Sequence, residues 1–166
     1  MPLSMYQASI PVLLRGLQNL TAVLKKGEAH PGGNELIEAR LAPDMLTLAG
    51  QVQRASDTAK GCAGRLAGVE APRMPDEEKS FAELYARIDK TADFLRSVKR
   101  EQIDGSEERR VEVKAGPNTL TFTGESYLHT FVIPNFFFHV TTAYDILRHR
   151  GVPLGKLDYL GPMPNA

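Results

Sequence analysis

The stretch Gly124-Glu-Ser-Tyr-Leu-His-Thr-Phe-Val-Ile-Pro134-Asn-Phe-Phe-Phe-His139-Val-Thr-Thr-Ala-Tyr-Asp-Ile-Leu-Arg-His149-Arg-Gly151 decides the fold. It reads as one long helix from about residue 125 to 150. Gly151 stops it, and Pro134 divides or kinks it. Asn135 and His139 stand one turn apart on its inward side, among phenylalanines. Burying an amide and an imidazole there is costly unless both find partners. At about 100° per residue, Phe131, Asn135, Phe138, His139, Thr142 and Ile146 share a side, with Phe137 and Tyr144 roughly opposite. A helix apolar nearly all round must be covered all round. The cover expected is a hairpin, the C-terminal tail or a second subunit, and a homodimer is preferred because it also uses the exposed aromatics.

Working outward, three more helices are predicted. In residues 3–26, Tyr6, Ile10, Leu13, Leu17, Leu20 and Leu24 recur at steps of three and four, one apolar stripe of a helix bent at Pro11. Gly27 and the Pro31-Gly32-Gly33 loop end it, and a short turn follows from Asn34. Pro43 suits the first turn of a second long helix to about Gly64, with Leu48, Ala55 and Cys62 on one face. Ser80-Phe-Ala-Glu83 reads as a capping box opening a third helix to about Lys99. Arg110–Lys114 and Thr119–Thr123 then alternate around Ala-Gly-Pro-Asn, a β-hairpin that must lie against the helices. Residues 152–161 read as an extended tail; Tyr159 either docks it onto the bundle or helps clasp a dimer. The expected architecture is an all-α four-helix bundle, one domain over residues 1–166, with a small hairpin before the last helix.

Composition narrows the function classes. The 166 residues are 42% apolar and 24% charged, with Lys+Arg and Asp+Glu at 20 each. A neutral total gives no electrostatic reason to expect nucleic acid or an anionic membrane as partner. No apolar run spans a bilayer, and no leader pattern precedes Pro2. The single cysteine, Cys62, excludes an internal disulfide and suits a reducing cytoplasm. No nucleophile elbow, phosphate loop or dinucleotide fingerprint occurs.

The chemistry concentrates on two inward faces. Asp44 and Gln51 lie seven residues apart and share a side of the second helix. If that side meets the fourth helix, Gln51, Asn135 and His139, with Asp44 near one end, form a polar pocket. Three readings of this cluster stand: a hydrogen-bond network that fixes helix register, a small-molecule pocket, or a divalent metal centre on His139. His30, in a Pro-Gly loop, reads as solvated. His149 suits the last helical turn, and His129 reads as structural or interfacial. Asp57 and Lys60 are assigned to an outer, solvated face, and Cys62 to apolar packing.

Leu3-Ser-Met-Tyr6, Leu41-Ala-Pro-Asp-Met45, Ala55-Ser-Asp-Thr-Ala-Lys60, Arg65-Leu-Ala-Gly68, Pro134-Asn-Phe-Phe-Phe-His139, Ala143-Tyr-Asp-Ile-Leu-Arg148, Gly151-Val-Pro-Leu-Gly-Lys156 and Asp158-Tyr-Leu-Gly161 together resemble a bacterial family of unknown function in the DinB/YfiT-like superfamily. The resemblance implies an up-down-down-up four-helix bundle, often dimeric. In the superfamily three histidines commonly bind a divalent metal such as zinc or nickel, one from helix two and two from helix four. By position His139 matches the later helix-four ligand, Asn135 stands at the earlier one, and Gln51 stands at the helix-two one. The resemblance thus implies a degenerate metal site, with divalent-metal hydrolysis or thiol transfer as the alternative to ligand binding.

Overall fold

The computed structural model describes residues 3–163. Its long helices are α1 (Met5–Glu28), α2 (Leu48–Ala67), α3 (Phe81–Ser97) and α6 (Ile133–His149). Single turns α4 (Arg100–Ile103), α5 (Gly124–Ser126) and α7 (Lys156–Leu160) connect or follow them, and β1 (Val111–Ala115) and β2 (Asn118–Phe122) form the hairpin.

Local chemistry sets each boundary. The Ser4 hydroxyl accepts from Gln7 N and the Gln7 amide oxygen accepts from Ser4 N, a reciprocal cap for α1. Leu13, Leu17, Leu20 and Leu24 make its buried stripe, and Pro11 lies inside the helix. α2 starts later than Pro43 suggests. Thr47 is the N-cap, its hydroxyl accepting from Gly50 N at 3.1 Å. The stretch before it is turn and bend, tied by the Arg40 guanidinium to the Met45 carbonyl. Gly68 closes the helix at φ 70, donating to Gly64 O. At α3, Ser80 accepts from Glu83 N as expected, but the Glu83 carboxylate accepts from Lys79 N, one residue outside the box.

The last helix is continuous but not uniform. Thr123 caps α5, residues Tyr127–Val132 widen into a π turn, and α6 follows with Pro134 in its first turn. In a regular helix the proline ring would crowd the carbonyl of residue 130 and supply no donor. The π turn relieves this, with Ile133 N–H reaching back to Leu128 O. Pro134 therefore widens the helix rather than breaking it.

Ring order and direction follow from side-chain contacts. Arg65 meets Tyr127 and Gln51 meets His139, so α2 runs against α6. The backbone of Gly16 faces Phe136 and that of Gly27 faces Leu147, so α1 runs with α6. Tyr85 donates to Glu28 and Tyr6 N to Asp104, so α3 runs against α1. The result is an up-down-down-up bundle in which α2 and α1 each touch both α3 and α6. Hairpin residues Val111 and Val113 are buried, and Phe122 packs its ring 5.9 Å from those of Tyr127 and Phe131. The tail is not wholly extended. Val152 and Leu154 are buried, α7 turns back onto α1, and the Tyr159 hydroxyl accepts from Thr141. No helix is long and apolar enough to cross a membrane among the described residues.

Candidate functional site

The interface of α2 and α6 places Gln51, Asn135 and His139 on facing surfaces. Gln51 is 1% exposed, one turn into α2. Its amide nitrogen donates to the Leu46 carbonyl at 3.3 Å, which aims its Oε1 at the fourth helix. His139 Nδ1 lies 2.8 Å from that oxygen. An amide oxygen only accepts, so Nδ1 carries the proton and Nε2 keeps its lone pair. Burial, with a smaller push from the Arg54 cation, lowers the His139 pKa to about 4. The ring is therefore a neutral imidazole of fixed tautomer at neutral pH.

Asn135, one turn earlier, has a different partner. Its amide nitrogen donates to the Thr58 hydroxyl at 2.9 Å, and that hydroxyl donates to the Arg54 carbonyl at 2.8 Å. Gln51 and Asn135 thus occupy successive turns of one polar seam without bonding each other. Asp44 stands apart. It lies exposed in the loop before α2, because Thr47 rather than Pro43 opens the helix, so the shared helical face with Gln51 does not exist.

The inward arc of α6 is also turned from the expected one. Phe136 is fully buried with Val140, Ala143 and Leu147, while Phe138 is 54% exposed. The buried arc centres near Phe136 and Ala143, and Phe138 falls well over a right angle from it at about 100° per residue. His139 and Asn135 flank the arc on the α2 side, half-buried. The Phe138 ring stands edge-on to the His139 ring, centroids 5.2 Å apart. His129 and His149 are exposed, and His30 Nδ1 contacts the Pro31 carbonyl at 2.9 Å. Cys62 is fully buried and burial pushes its thiol up to about 12, the packing role expected of it.

A charged network on α2, α3 and the segment between them has no counterpart among the residues singled out by periodicity. Arg87 of α3 is 3% exposed. Its Nε donates to Ser56 Oγ at 3.2 Å, its Nη1 to Pro75 O and Glu78, and its Nη2 pairs with Asp57 and Asp76. Every N–H of the fork has an acceptor, the condition for burying a guanidinium. Ser56, accepting from Arg87, donates to Thr91 Oγ1 at 2.7 Å, and Thr91 donates back to the Arg87 carbonyl. Burial works against the charge, but Glu78, Asp57 and Asp76 outweigh it and raise the Arg87 pKa. Asp57 and Lys60 are not on a bare solvated face. Asp57 joins this network, and Lys60 Nζ reaches Asp57 at 3.1 Å and the Pro72 carbonyl. The signal was present: Leu84, Arg87, Ile88 and Thr91 share one helical stripe.

A family model described as a domain of unknown function, DUF1993, matches residues 5–160. The chain belongs to this family. It also superposes on the crystal structure of a DinB family member protein from Shewanella denitrificans, with a TM-score of 0.87 and 36% sequence identity, over 97% of this chain and 94% of that one. The DinB-like fold read from the sequence therefore stands. Comparison with curated proteins finds no match.

The three positions implied for metal ligands do fall on one seam in this DUF1993 chain, yet the donors do not fit a divalent ion. His139 offers one strong ligand atom, Nε2. The Gln51 oxygen is committed to His139, and the Asn135 nitrogen to Thr58. Neutral amides are weak ligands for transition metals. Among the described residues no three His, Cys, Asp or Glu side chains are grouped to hold an ion.

Proposed function

We propose that this DUF1993 protein binds a small polar molecule at the α2–α6 seam, with the His139 Nε2 lone pair accepting a hydrogen bond from it. The observation that supports this is the 2.8 Å contact between His139 Nδ1 and Gln51 Oε1, which fixes the acceptor atom. Gln51 acts as the orienting group, and Asn135 holds the adjacent turn. The exposed Phe138 ring, edge-on to the imidazole, supplies apolar surface beside a ligand. A neutral imidazole next to the Arg54 cation favours neutral or anionic ligands over cationic ones. Reaction through a metal is not part of this reading, because the donor set supports none.

The test is a panel of alcohols, amides and organic acids titrated against protein labelled with nitrogen-15 in histidine. At least one class is expected to move the His139 Nε2 resonance saturably, and Gln51→Leu to weaken that binding by an order of magnitude. A panel that leaves Nε2 unmoved overturns the proposal and leaves the seam a register-fixing network.

We also propose that the protein is a cytoplasmic homodimer. The buried, unpaired Cys62 suits a reducing compartment, and exposed Phe138 and Leu157 are apolar surface that a second copy would cover. Light scattering coupled to size exclusion is expected to give twice the 18.3 kDa chain mass. A monomer mass at micromolar concentration removes the dimer.

A further inference from the structure

The outer face between α1 and α3 carries a cleft of about 650 Å³, within the range that small-molecule sites occupy. It exists because Thr21, Ala22 and Ala92 are small where the antiparallel helices meet, leaving their outward edges unfilled. Leu17 and Ile88 form a floor 1% and 2% exposed, and Leu14 continues it half-buried.

The rim is cationic. Arg15, Lys25 and Arg96 border the cleft, against one carboxylate, Asp89. The chain as a whole is neutral, so this excess is local. Lys25 makes no ion pair among the described residues, and Arg96 pairs only with Asp93 in a contact whose side chains are 63% and 76% exposed. Such a pair contributes little and yields readily. Arg15 spends Nη2 on the carbonyls of Leu160 and Pro162, leaving its remaining donors free of those partners.

These features select among occupants. A second copy docked face to face would set the three cations against themselves, so this surface opposes self-association. We propose that the α1–α3 cleft binds an amphipathic organic anion, its apolar body lying beside Ala22 over the Leu17–Ile88 floor and its anionic end between Arg15 and Arg96, which the antiparallel pairing of the two helices brings level. This site is separate from the α2–α6 seam and does not depend on His139.

The probes are octanoate, octanol and octylamine, titrated against protein with labelled methyl groups. Octanoate is expected to shift the Leu14, Leu17 and Ile88 methyls saturably. Octanol and octylammonium are expected to bind at least tenfold more weakly. The variant Arg96→Gln alters one exposed side chain without reversing its charge and is expected to keep the melting temperature within a few degrees of wild type while losing at least tenfold in octanoate affinity. Equal binding of octanol, unchanged affinity in the variant, or shifts clustered at Phe138 instead would each overturn the assignment.

Discussion

His139 donates from Nδ1 to Gln51 Oε1 across 88 positions of sequence, at 2.8 Å. This contact joins the first turn of α2 to the middle of α6, and it is why a half-buried imidazole holds one tautomer. Gln51 itself is anchored by the Leu46 carbonyl. Replacing it by Leu strands two groups, the Nδ1 proton and that carbonyl. Gln51→Leu is expected to lower stability by about 1–3 kcal/mol. Urea denaturation measures this, and a loss below a few tenths would mean that the contact is slack.

Asn135→Leu has a different expected outcome. Its partner Thr58 retains the Arg54 carbonyl as a hydrogen-bond acceptor, so removing the amide leaves no buried group stranded. A change within about 1 kcal/mol is expected, of either sign. A loss matching that of Gln51→Leu in the same denaturation series would show that the two turns act as one unit.

Acid stability follows from the His139 shift. Its folded pKa is depressed to about 4, below the ordinary value near 6.5. Stability from this group is present above about pH 6.5 and is lost as pH falls toward 4, because the unfolded ring takes up a proton that the folded ring refuses. The half-exposed edge of the ring limits the loss to roughly 1–2 kcal/mol. Denaturation curves at pH 7.5 and 5.0 measure it, and His139→Gln is expected to flatten the difference. An unchanged slope in that variant would assign the acid sensitivity elsewhere.

Arg87 is the side chain on which the 72–78 segment depends most. Arg87→Met leaves Glu78 without its cation and Ser56 without a donor, while Asp57 keeps Lys60 and Arg54 and Asp76 keeps Arg54. The expected cost is about 2–3 kcal/mol, from the lost hydrogen bonds to charged groups. Thermal denaturation and proteolysis within residues 68–79 measure this together, and a loss under 1 kcal/mol with no new cleavage would contradict the buried-charge account.

Gly16 is where α1 lies against the Phe136 ring of α6. A Cβ added there would collide with the Phe136 ring, which is fully buried and has Phe137 edge-on at 5.1 Å. Gly16→Ala therefore combines better helix propensity with overpacking, and the second is expected to win by about 1–3 kcal/mol. A raised melting temperature would show that Phe136 has room to move.

Much of this was legible because periodicity reports directly on burial. The leucine stripe of α1, the Ser80 start of α3 and the hairpin around Gly116 follow from spacing and capping, whereas the meeting of Gln51 with His139 needs the further condition that the second and fourth helices face each other. Asp44 was misplaced because Pro43 is as good an N1 residue as Leu48, and only Thr47's hydroxyl bond separates the two starts. Phe138 was misplaced because several apolar residues in a row leave the phase of a helical wheel undetermined. Its true centre depends on how the neighbours divide the helix, with α1 at Gly16 taking Phe136 and α2 at Gln51 taking His139. Arg87 is not legible from spacing, because a guanidinium in an apolar stripe looks like a solvated edge until its carboxylates arrive from a different segment. Asn135 and Thr58 could not be paired from spacing alone, since their meeting depends on the crossing of α2 and α6.

Nitrogen-15 NMR of the histidine side chains at pH 7 tests the central claim most directly. The account predicts that His139 is neutral with its proton on Nδ1, that Nε2 resonates as an unprotonated nitrogen, and that neither changes until the pH approaches 4. A His139 ring protonated on Nε2, or one titrating near 6.5, would contradict it.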